Sequence, residues 1–323
     1  MPSSDSRPSA DPLPERARVG FLGPLGTFTE QALLTQPDLS AGELVPLSSI
    51  PDVLAAVAAG EVALGFVPLE NSIEGTVNLT QDALAFHHDL LIQREVVLDV
   101  QLCLVAPRGL ALDDVREVHS IPVATAQCTT FLRTHLPAAE LRASNSTADA
   151  ARLVGEGVAP GAAAIGPLLT AKLYDLEVLA TDIADHEGNQ TRFVLVARDS
   201  VPPPTGHDKT TVVVYQRANE PGSLISILQE FAARRINLTK LESRPTKAGG
   251  LGDYCFIVDA EGHVADELLA DCLRDLKAKQ GGVKFLGSYP AAGEHAPSAR
   301  EHADTRWRHA DDWLRAIRQR IGR

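Results

Sequence analysis

The side chains best suited to chemistry stand together in Asn189-Gln190-Thr191-Arg192-Phe193, directly before the apolar run 194–197. The run predicts a buried strand, and ligands of open α/β sheets bind where loops and helix starts converge at strand ends. A threonine hydroxyl can hydrogen-bond a reacting oxygen, and a guanidinium can hold a carboxylate through two parallel bonds. Thr191 and Arg192 therefore suit an anion that carries a hydroxyl group. The alternative is structural, with Thr191 as a strand-favouring β-branched residue and Arg192 as a solvated edge charge.

Two further predicted loops place hydrogen-bonding groups at strand ends. In Gly23-Pro24-Leu25-Gly26-Thr27-Phe28-Thr29-Glu30, glycines allow close backbone approach, and Thr27 precedes Glu30 at the spacing of a helix capping box. The loop Glu70-Asn71-Ser72 supplies a carboxylate, an amide and a hydroxyl, which suits a polar ligand. Both loops also have structural interpretations, as a capped strand-to-helix turn and as a turn held by asparagine and serine bonds to the backbone.

Residues 18–198 alternate short apolar runs with helical patterns, which predicts βαβ units of an α/β fold. The first strand is expected at residues 18–22, and a second lobe is expected to begin near Val100. Helices are expected to open at Glu74-Gly75-Thr76, at Thr125 and at Ser146, whose hydroxyl would cap the helix start.

The C-terminal part has a different pattern. Pro202-Pro203-Pro204-Thr205-Gly206 predicts a linker, and strand and helix signals then follow in the βαββαβ order of a ferredoxin-like domain. A last amphipathic helix, with apolar residues from Trp307 to Ile321, is expected to dock on its own or a neighbouring subunit. The predicted segments are a disordered leader (1–17), a two-lobed domain with a cleft between its lobes (18–198), a linker (199–209), a ferredoxin-like domain (210–290) and a tail with the terminal helix (291–323).

Composition limits the partners. The 323 residues carry a formal net charge of −12, which argues against nucleic acid or an anionic membrane, because both attract basic surfaces. No run approaches the roughly 18 apolar residues of a membrane span, and no signal-peptide pattern opens the chain, so a cytoplasmic location is expected. The four cysteines form no Cys-x-x-Cys pair, so neither a zinc site nor a disulfide framework is indicated. Cys128 lies in an apolar helical pattern, which favours core packing over a role as nucleophile.

Four stretches resemble the prephenate dehydratase family. In chain order they are Gly23-Pro24-x-Gly26-Thr27-Phe28, Val67-Pro68-x-Glu70-Asn71-Ser72, Ser146-Thr147-x-Asp149-Ala150-Ala151 and Asn189-x-Thr191-Arg192-Phe193. The resemblance covers residues 18–198. The ferredoxin-like domain resembles the regulatory ACT domain of this family through Gly222-Ser223-Leu224 and Leu238-Thr239-Lys240-Leu241-Glu242-Ser243-Arg244-Pro245. All these motifs in this order make the match highly specific.

The resemblance implies a lyase that converts prephenate to phenylpyruvate, water and carbon dioxide in phenylalanine biosynthesis, with no metal or organic cofactor. It also implies a two-lobed catalytic domain like a periplasmic binding protein, with the site in the cleft and an essential role for Thr191. The expected substrate-binding residues are Thr27, Phe28, Glu70, Asn71, Ser72, Ser146, Arg192 and Phe193.

The resemblance further implies feedback inhibition by phenylalanine and a homodimer or homotetramer formed through the ACT domains. The effector site is expected between two such domains. Its expected residues are Gly222, Ser223, Leu224, Asn237, Leu238, Glu242, Ser243, Arg244 and Pro245. In the alternative interpretation, Gly222 merely starts a helix, and Glu242 and Arg244 form a solvated pair on a strand.

Two stretches depart from the family pattern. The family usually has Ser-His-Pro-Gln-Ala-Leu-x-Gln-Cys where this chain has Ser120-Ile121-Pro122-Val123-Ala124-Thr125-Ala126-Gln127-Cys128, which leaves the role of that segment open. Ser223 replaces a usual alanine. The alternative functions are an amino-acid-sensing protein of the same architecture and a purely structural protein. A sensor needs the cleft but not a hydroxyl for a leaving group, so Thr191 favours the enzyme.

Overall fold

The computed structural model describes residues 17–246, 253–293 and 312–320. The described residues divide into two compact units. The first unit contains residues 17–83 and 96–195, and the second contains residues 84–95 together with the described residues from 196 onwards. The predicted leader up to residue 16 lies outside the described residues. So do Gly249, Gly250 and Gly252, whose spacing in the sequence predicts a hairpin loop.

Strands and helices alternate along the described chain. Its first part consists of β1 (Arg18–Leu22), α1 (Phe28–Leu34), α2 (Pro37–Ser40), β2 (Glu43–Leu47), α3 (Ile50–Ala59), β3 (Leu64–Asn71), β4 (Gly75–Thr76), α4 (Asn78–Asp82), a π-helical turn (Ala83–His87) and β5 (Leu91–Asp99). Its middle part consists of β6 (Cys103–Pro107), β7 (Glu117–Ser120), α5 (Pro122–Ala126), α6 (Thr129–His135), β8 (Glu140–Ala143), α7 (Thr147–Gly155), β9 (Ala162–Gly166), α8 (Leu168–Leu173), β10 (Leu176–Ala180) and β11 (Gln190–Ala197). Its last part consists of β12 (Asp208–Tyr215), α9 (Ser223–Ala233), β13 (Leu238–Pro245), β14 (Tyr254–Glu261), α10 (Glu267–Lys279) and β15 (Gly282–Pro290).

The first lobe is built on a sheet with the order β2-β1-β3-β11-β5, and β4 pairs with β3. Strand β1 runs parallel to both β2 and β3, as expected for βαβ units. The apolar runs of these strands are buried, with Phe21, Phe66 and Val194 at 0% exposure. In this order β11 lies beside β3. Thr191 and Arg192 stand near the start of β11, and Glu70 and Asn71 stand at the end of β3.

The second lobe has its own sheet, with the order β10-β6-β9-β7-β8. Its core contains residues such as Leu104, Ile165 and Cys128, each fully buried. Two chain crossings connect the lobes, one before β6 and one before β11, and they touch where Val100 N donates to Asn189 O over 2.7 Å. The predicted two-lobed α/β architecture is therefore confirmed.

Two predicted helix starts are wrong. The segment Glu74-Gly75-Thr76 does not open a helix, because Gly75 and Thr76 form the short strand β4 antiparallel to the end of β3, and the helix begins at Asn78. The side chain of Asn71 causes this reversal, since its Oδ1 accepts bonds from the backbone N–H groups of residues 73 and 74. The helix expected from Thr125 begins earlier, at Pro122, and breaks into α5 and α6.

The second unit contains the predicted βαββαβ domain. Its sheet has the order β13-β14-β12-β15, and the adjacent strands are antiparallel. Both helices contribute to a single core with one face of the sheet, through residues such as Phe231 on α9 and Leu276 on α10. The ferredoxin-like fold is therefore confirmed, and β13 lies at an edge of the sheet.

A strip of chain from residues 84–95 completes the second unit. Lys284 Nζ donates to Leu84 O over 2.8 Å and to His88 O over 2.7 Å, and this burial lowers the pKa of Lys284. Gly287 lets β15 approach the strip closely, because a Cβ at this position would lie 2.5 Å from Ile92 O. The predicted boundaries, which run without interruption from residue 18 to residue 198, do not anticipate this strip.

The described residues contain no helix with the length and apolar character needed to cross a membrane. Residues 312–318 are helical, and Trp313 is 66% exposed. The expected docking of the terminal helix stays a prediction.

The Arg234 side chain makes a charged cluster that we expect to stabilise the second unit. It is 12% exposed and pairs with Glu230 at 2.9 Å and with Asp271 and Asp275 at 2.7 Å. Arg234→Met should lower the free energy of unfolding by about 1–3 kcal/mol, because it removes the partly buried guanidinium that all three carboxylates share. Denaturant unfolding at neutral pH measures this difference.

The pH dependence provides a second check on Arg234. Hydrogen bonds from Arg234 lower the pKa of Asp275 below its ordinary value of 3.8. The stabilisation that Arg234 gives through Asp275 is therefore fully present when the pH is above 3.8, and it is lost as the pH falls through the lowered pKa. The difference in free energy of unfolding between wild type and Arg234→Met should become smaller in acid. The matched control is Arg274→Met, which removes an arginine with a 66% exposed side chain. A variant of Arg234 no less stable than this control would contradict the prediction.

Candidate active site

The amide of Asn71 joins the end of β3 to the start of β11. Its Nδ2 donates to Asn189 Oδ1 over 2.8 Å, to Thr191 Oγ1 over 2.9 Å and to Gln190 O over 3.2 Å. Its Oδ1 accepts bonds of 2.9 Å from the N–H groups of Ile73 and Glu74. Because two backbone donors hold the oxygen, the nitrogen of the amide must face Thr191.

This contact sets the direction of the Thr191 hydroxyl. An amide nitrogen has no lone pair to accept a bond, so Thr191 Oγ1 is the acceptor in the pair. The hydroxyl proton of Thr191 then remains available for a different acceptor. A ligand oxygen placed beside Thr191 would receive a hydrogen bond from it.

Ser72 fastens the same two strand ends. Its backbone N–H donates to Gln190 O over 2.8 Å, and Gln190 N donates back to Ser72 Oγ over 2.9 Å. The hydroxyl also donates to Gly188 O over 3.3 Å. The loop predicted from sequence to bind a ligand therefore holds the mouth of β11 in place as well.

Arg192 and Glu70 lie side by side on the same two strands. Arg192 Nη1 is 3.5 Å from Glu70 Oε2, and their side chains are 11% and 35% exposed. The pair places a partly buried guanidinium at the strand end that also carries Thr191, and a guanidinium can hold an anionic group of a ligand.

The second lobe reaches this cluster through Gln127. Its Nε2 donates to Glu74 Oε1 over 3.1 Å, and Asn189 Nδ2 donates to Gln127 Oε1 over 3.2 Å. Gln127 belongs to the divergent segment 120–128, and neither it nor Asn189 was among the predicted site residues. Asn189 had a signal in the sequence, because it opens the motif that contains Thr191. Gln127 had one too, because it keeps the glutamine that precedes the cysteine in the family pattern of that segment.

The first loop of the chain also meets the second lobe. Thr27 caps α1 as predicted, since Glu30 N donates to its hydroxyl over 3.3 Å, but the Glu30 carboxylate accepts from Gly26 N and not from the Thr27 N–H of a regular capping box. Phe28 packs against the core of the second lobe. A Cβ on Gly26 would lie 3.5 Å from the Cβ of Ala148, in the first turn of α7. The starts of α1 and α7 therefore adjoin.

The predicted site residues thus fall into two groups. The structure joins Glu70, Asn71, Ser72, Thr191 and Arg192 around the mouth of β11. It also brings the loop of Thr27 and Phe28 close to the start of α7. Ser146 caps this helix, because its Oγ accepts a bond of 2.9 Å from Asp149 N. The Thr27 hydroxyl donates to Leu22 O over 3.1 Å, so the hydroxyls of Thr27 and Ser146 both bond to the backbone of their own segments.

Phe193 does not have the exposure expected of a substrate-binding side chain. It is 1% exposed, and its ring stacks on Phe66 with a centroid distance of 5.4 Å. This placement favours packing over the predicted contact with a ligand.

The cysteines lie away from any reactive setting. All four are free and buried, and burial raises the pKa of the Cys128 thiol to about 12. Core packing of Cys128, as predicted, agrees with this burial. Within the described ranges, no group of three or more histidine, cysteine or acidic side chains is placed to hold a metal ion.

The expected effector residues lie at two ends of the ferredoxin-like sheet. Tyr215 and Arg244 both pair with Cys255, so the ends of β12 and β13 lie in the same row of the sheet. The loop of Gly222-Ser223-Leu224 follows β12 at that end, next to the row of Glu242-Ser243-Arg244-Pro245. Asn237 and Leu238 stand at the other end of β13.

The comparisons with known proteins agree with this architecture. Residues 19–201 match the family model described as prephenate dehydratase, and residues 210–278 match that of the ACT domain. The prephenate dehydratase of Mycobacterium tuberculosis is 43% identical over 294 residues, which cover 87% of this chain and 90% of the relative. This chain belongs to the prephenate dehydratase family.

Two solved structures resemble this prephenate dehydratase over most of its length. A prephenate dehydratase from Arthrobacter aurescens, solved in complex with L-Phe, is 40% identical with a TM-score of 0.85, covering 94% of this chain and 99% of its own. A protein described as GqqA, a novel type of quorum quenching acylase, is 29% identical with a TM-score of 0.74, covering 85% of this chain and 98% of its own. As a prephenate dehydratase, the chain is a lyase for the decarboxylating dehydration of prephenate to phenylpyruvate.

We expect Phe193→Leu to reduce the stability of this prephenate dehydratase and to leave KM for prephenate unchanged. Loss of the ring removes buried area and the stack on Phe66, at a cost of about 1–3 kcal/mol. Thermal unfolding and steady-state kinetics measure the two effects. The matched control is Phe66→Leu, which removes the other ring of the stack and should have the same effects. A KM that rises in Phe193→Leu but not in Phe66→Leu would restore Phe193 to the substrate site.

Proposed function

We propose that prephenate binds at the mouth of β11, with Thr191 donating a hydrogen bond to the departing ring hydroxyl. The observation that carries this assignment is the bond from Asn71 Nδ2 to Thr191 Oγ1, which leaves the threonine proton for the ligand. The other substrate-binding residues of the proposal are Thr27, Phe28, Glu70, Asn71, Ser72, Ser146 and Arg192.

The reaction makes few demands on the protein. The ring carboxylate leaves as carbon dioxide, and its electron pair makes the ring aromatic as the C–O bond to the hydroxyl breaks. The departing oxygen takes up one proton and leaves as water. The protein must therefore stabilise negative charge on the departing oxygen and hold the two carboxylates of the substrate.

Thr191 and Arg192 divide these tasks. The hydroxyl of Thr191 stabilises the oxygen as charge develops on it, and the guanidinium of Arg192 holds a carboxylate. An aliphatic hydroxyl is a poor acid on its own, so a relay must replace its proton, and Glu70 or water is the candidate donor.

The same geometry argues against an acylase that uses Thr191 as its nucleophile. Such a hydroxyl needs a base that accepts its proton, whereas the neighbour of Thr191 is an amide that donates to it. A sensor without catalysis would make no use of a donor aimed at a leaving group.

Removal of the Thr191 hydroxyl tests the catalytic assignment. Thr191→Val keeps the shape of the side chain and should lower kcat by roughly 10²–10³-fold, the usual effect of losing one donor to a developing oxyanion. KM and the melting temperature should change little, because the bond strengthens only as the hydroxyl leaves.

The matched control is Thr191→Ser, which keeps the hydroxyl and should retain most of kcat. Rates of phenylpyruvate formation and binding of prephenate in the absence of turnover provide the measurements. Normal kcat in the valine variant would reduce Thr191 to a strand residue. Binding without turnover in the wild type would favour the sensor.

We further propose that phenylalanine binds the ferredoxin-like domain and inhibits the enzyme. The resemblance to the Arthrobacter aurescens protein, whose structure holds L-Phe, supports this assignment. The effector residues at the two ends of β13 meet if two copies pair antiparallel along this edge strand. Asn237 and Leu238 of one copy would then lie beside the 242–245 row of the other. This arrangement makes a dimer part of the regulatory site.

The proposed organisation follows the boundaries expected from the sequence: a leader (1–17), the catalytic domain (18–198), a linker (199–209), the ACT domain (210–290) and a tail (291–323). The matches at 19–201 and 210–278 support the two domains. We propose the cytoplasm as the location of the enzyme, in line with its place in amino-acid biosynthesis.

A change at Gly222 tests the effector site. Gly222 has φ +92°, and nothing lies within 4 Å of a Cβ placed on it. Gly222→Val should leave uninhibited kcat intact and abolish inhibition by phenylalanine, because the bulkier residue changes the backbone path that meets the effector. In the wild type, phenylalanine should weaken the binding of prephenate by roughly 5- to 150-fold, the usual range for coupling between two sites. Gly222→Val should remove this effect.

Gly206→Val is a closely matched control for this experiment. Gly206 belongs to the same unit, has φ +90° and is equally open around its Cβ. Backbone strain is therefore the same in both variants, and only the position differs. Initial rates against phenylalanine concentration and calorimetric binding of phenylalanine give the readouts. Wild-type inhibition in Gly222→Val would contradict the placement of the site.

A further inference from the structure

The hydroxyl of Tyr174 connects the second lobe to the first loop of the chain. Tyr174 stands at the end of α8, and its OH donates to Leu25 O over 3.1 Å. The residues are 149 positions apart in sequence, and Leu25 immediately precedes the capping box that holds Gly26 and Thr27. A side chain of one lobe thus holds the backbone of the other.

The second lobe seats Tyr174 firmly. Its side chain packs against a buried core that includes Ala151 and Val154 of α7. The backbone N–H donates to Thr170 O over 3.0 Å, and a Cβ on Gly155 would lie 3.2 Å from the Cβ of Tyr174. Burial also raises the pKa of the phenol, so its proton stays in place at neutral pH.

The first loop has few other polar ties to the second lobe. Gly26 approaches α8 closely, because a Cβ on it would lie 3.3 Å from side-chain atoms of both Leu173 and Thr170. These contacts are apolar and can slide, whereas a hydrogen bond fixes direction. Leu25 is 42% exposed, so its carbonyl can turn to water if the phenol is removed.

We propose that Tyr174 is a positioning residue for substrate binding, which holds the loop from Leu25 to Phe28 against the second lobe. The loop carries Thr27 and Phe28, and the contact places it next to the start of α7, which Ser146 caps. The inference rests on the proposed role of these residues in binding prephenate. Tyr174 acts through the loop and touches no reacting atom.

The test is Tyr174→Phe, which removes one oxygen and keeps the ring. We expect KM for prephenate to rise by about 3- to 10-fold, the value of one hydrogen bond, with kcat and the melting temperature nearly unchanged. Tyr215→Phe is the control, because that phenol also donates to a backbone carbonyl, Ala85 O at 3.4 Å, but within the other unit. Its KM should stay at the wild-type value in the absence of phenylalanine.

Hydrogen exchange gives a readout that does not depend on activity. The backbone amides of Leu25 to Phe28 should exchange faster in Tyr174→Phe than in the wild type, whereas those of α7 should not change. Unaltered exchange in the loop would show that the hydrogen bond from Tyr174 to Leu25 O does not hold the loop. Faster exchange with an unchanged KM, or a fall in kcat alone, would overturn the positioning role.

A further variant separates this inference from the function on which it rests. Thr27→Ala removes a proposed substrate-binding hydroxyl and leaves Tyr174 in place. An unchanged KM in Thr27→Ala would overturn the substrate role of the loop, and the exchange measurement would still report on the tie.

Discussion

The geometry of the active site depends on the amide of Asn71, which is fully committed on both of its sides. Two backbone donors hold its oxygen, and its nitrogen serves acceptors on β11. A carboxylate here could not donate to Thr191, and an apolar residue would leave several polar groups of the turn without partners. The direction of the Thr191 hydroxyl, the proposed donor to the leaving group, thus follows from the turn that reverses the chain after β3.

Polar contacts join the two lobes at two places. Gln127 bonds to Glu74 and Asn189 beside the Asn71 cluster, and Tyr174 bonds to the backbone of the loop that carries Thr27. Each of these places depends on one side chain of the second lobe, and a hydrogen bond contributes only about 1 kcal/mol. The proposed site therefore combines strand ends joined by several hydrogen bonds with contacts to the second lobe that a single substitution can remove.

Local features of the fold could be predicted from the sequence, because neighbouring residues determine them. The cap of α1 by the Thr27 hydroxyl and the cap of α7 by Ser146 each depend on a bond across three residues, and both occur as predicted. The strand β4 was missed because the Asn71 side chain, and not backbone propensity, reverses the chain there. The contacts of Gln127 could not be predicted, since its partners Glu74 and Asn189 lie 53 and 62 residues away, although the residue keeps the glutamine of the family pattern. The burial of Phe193 could not be predicted either, because a motif shows which residues occur together but not how deeply each one lies.

The strip of residues 84–95 has a consequence for dividing the molecule into pieces. A fragment that begins at Thr210 would keep Lys284 but lose the carbonyl groups of Leu84 and His88 that receive its ammonium. It would also lose the ion pair of Lys209 and Glu95, in which the Glu95 side chain is 0% exposed and lies 2.8 Å from the lysine. The ferredoxin-like domain is therefore packed against a chain segment that precedes it by more than a hundred residues. Cutting the chain at the boundary between the two sequence motifs would remove contacts from both fragments. The two domains that are separate in the sequence therefore do not form two separate folding units.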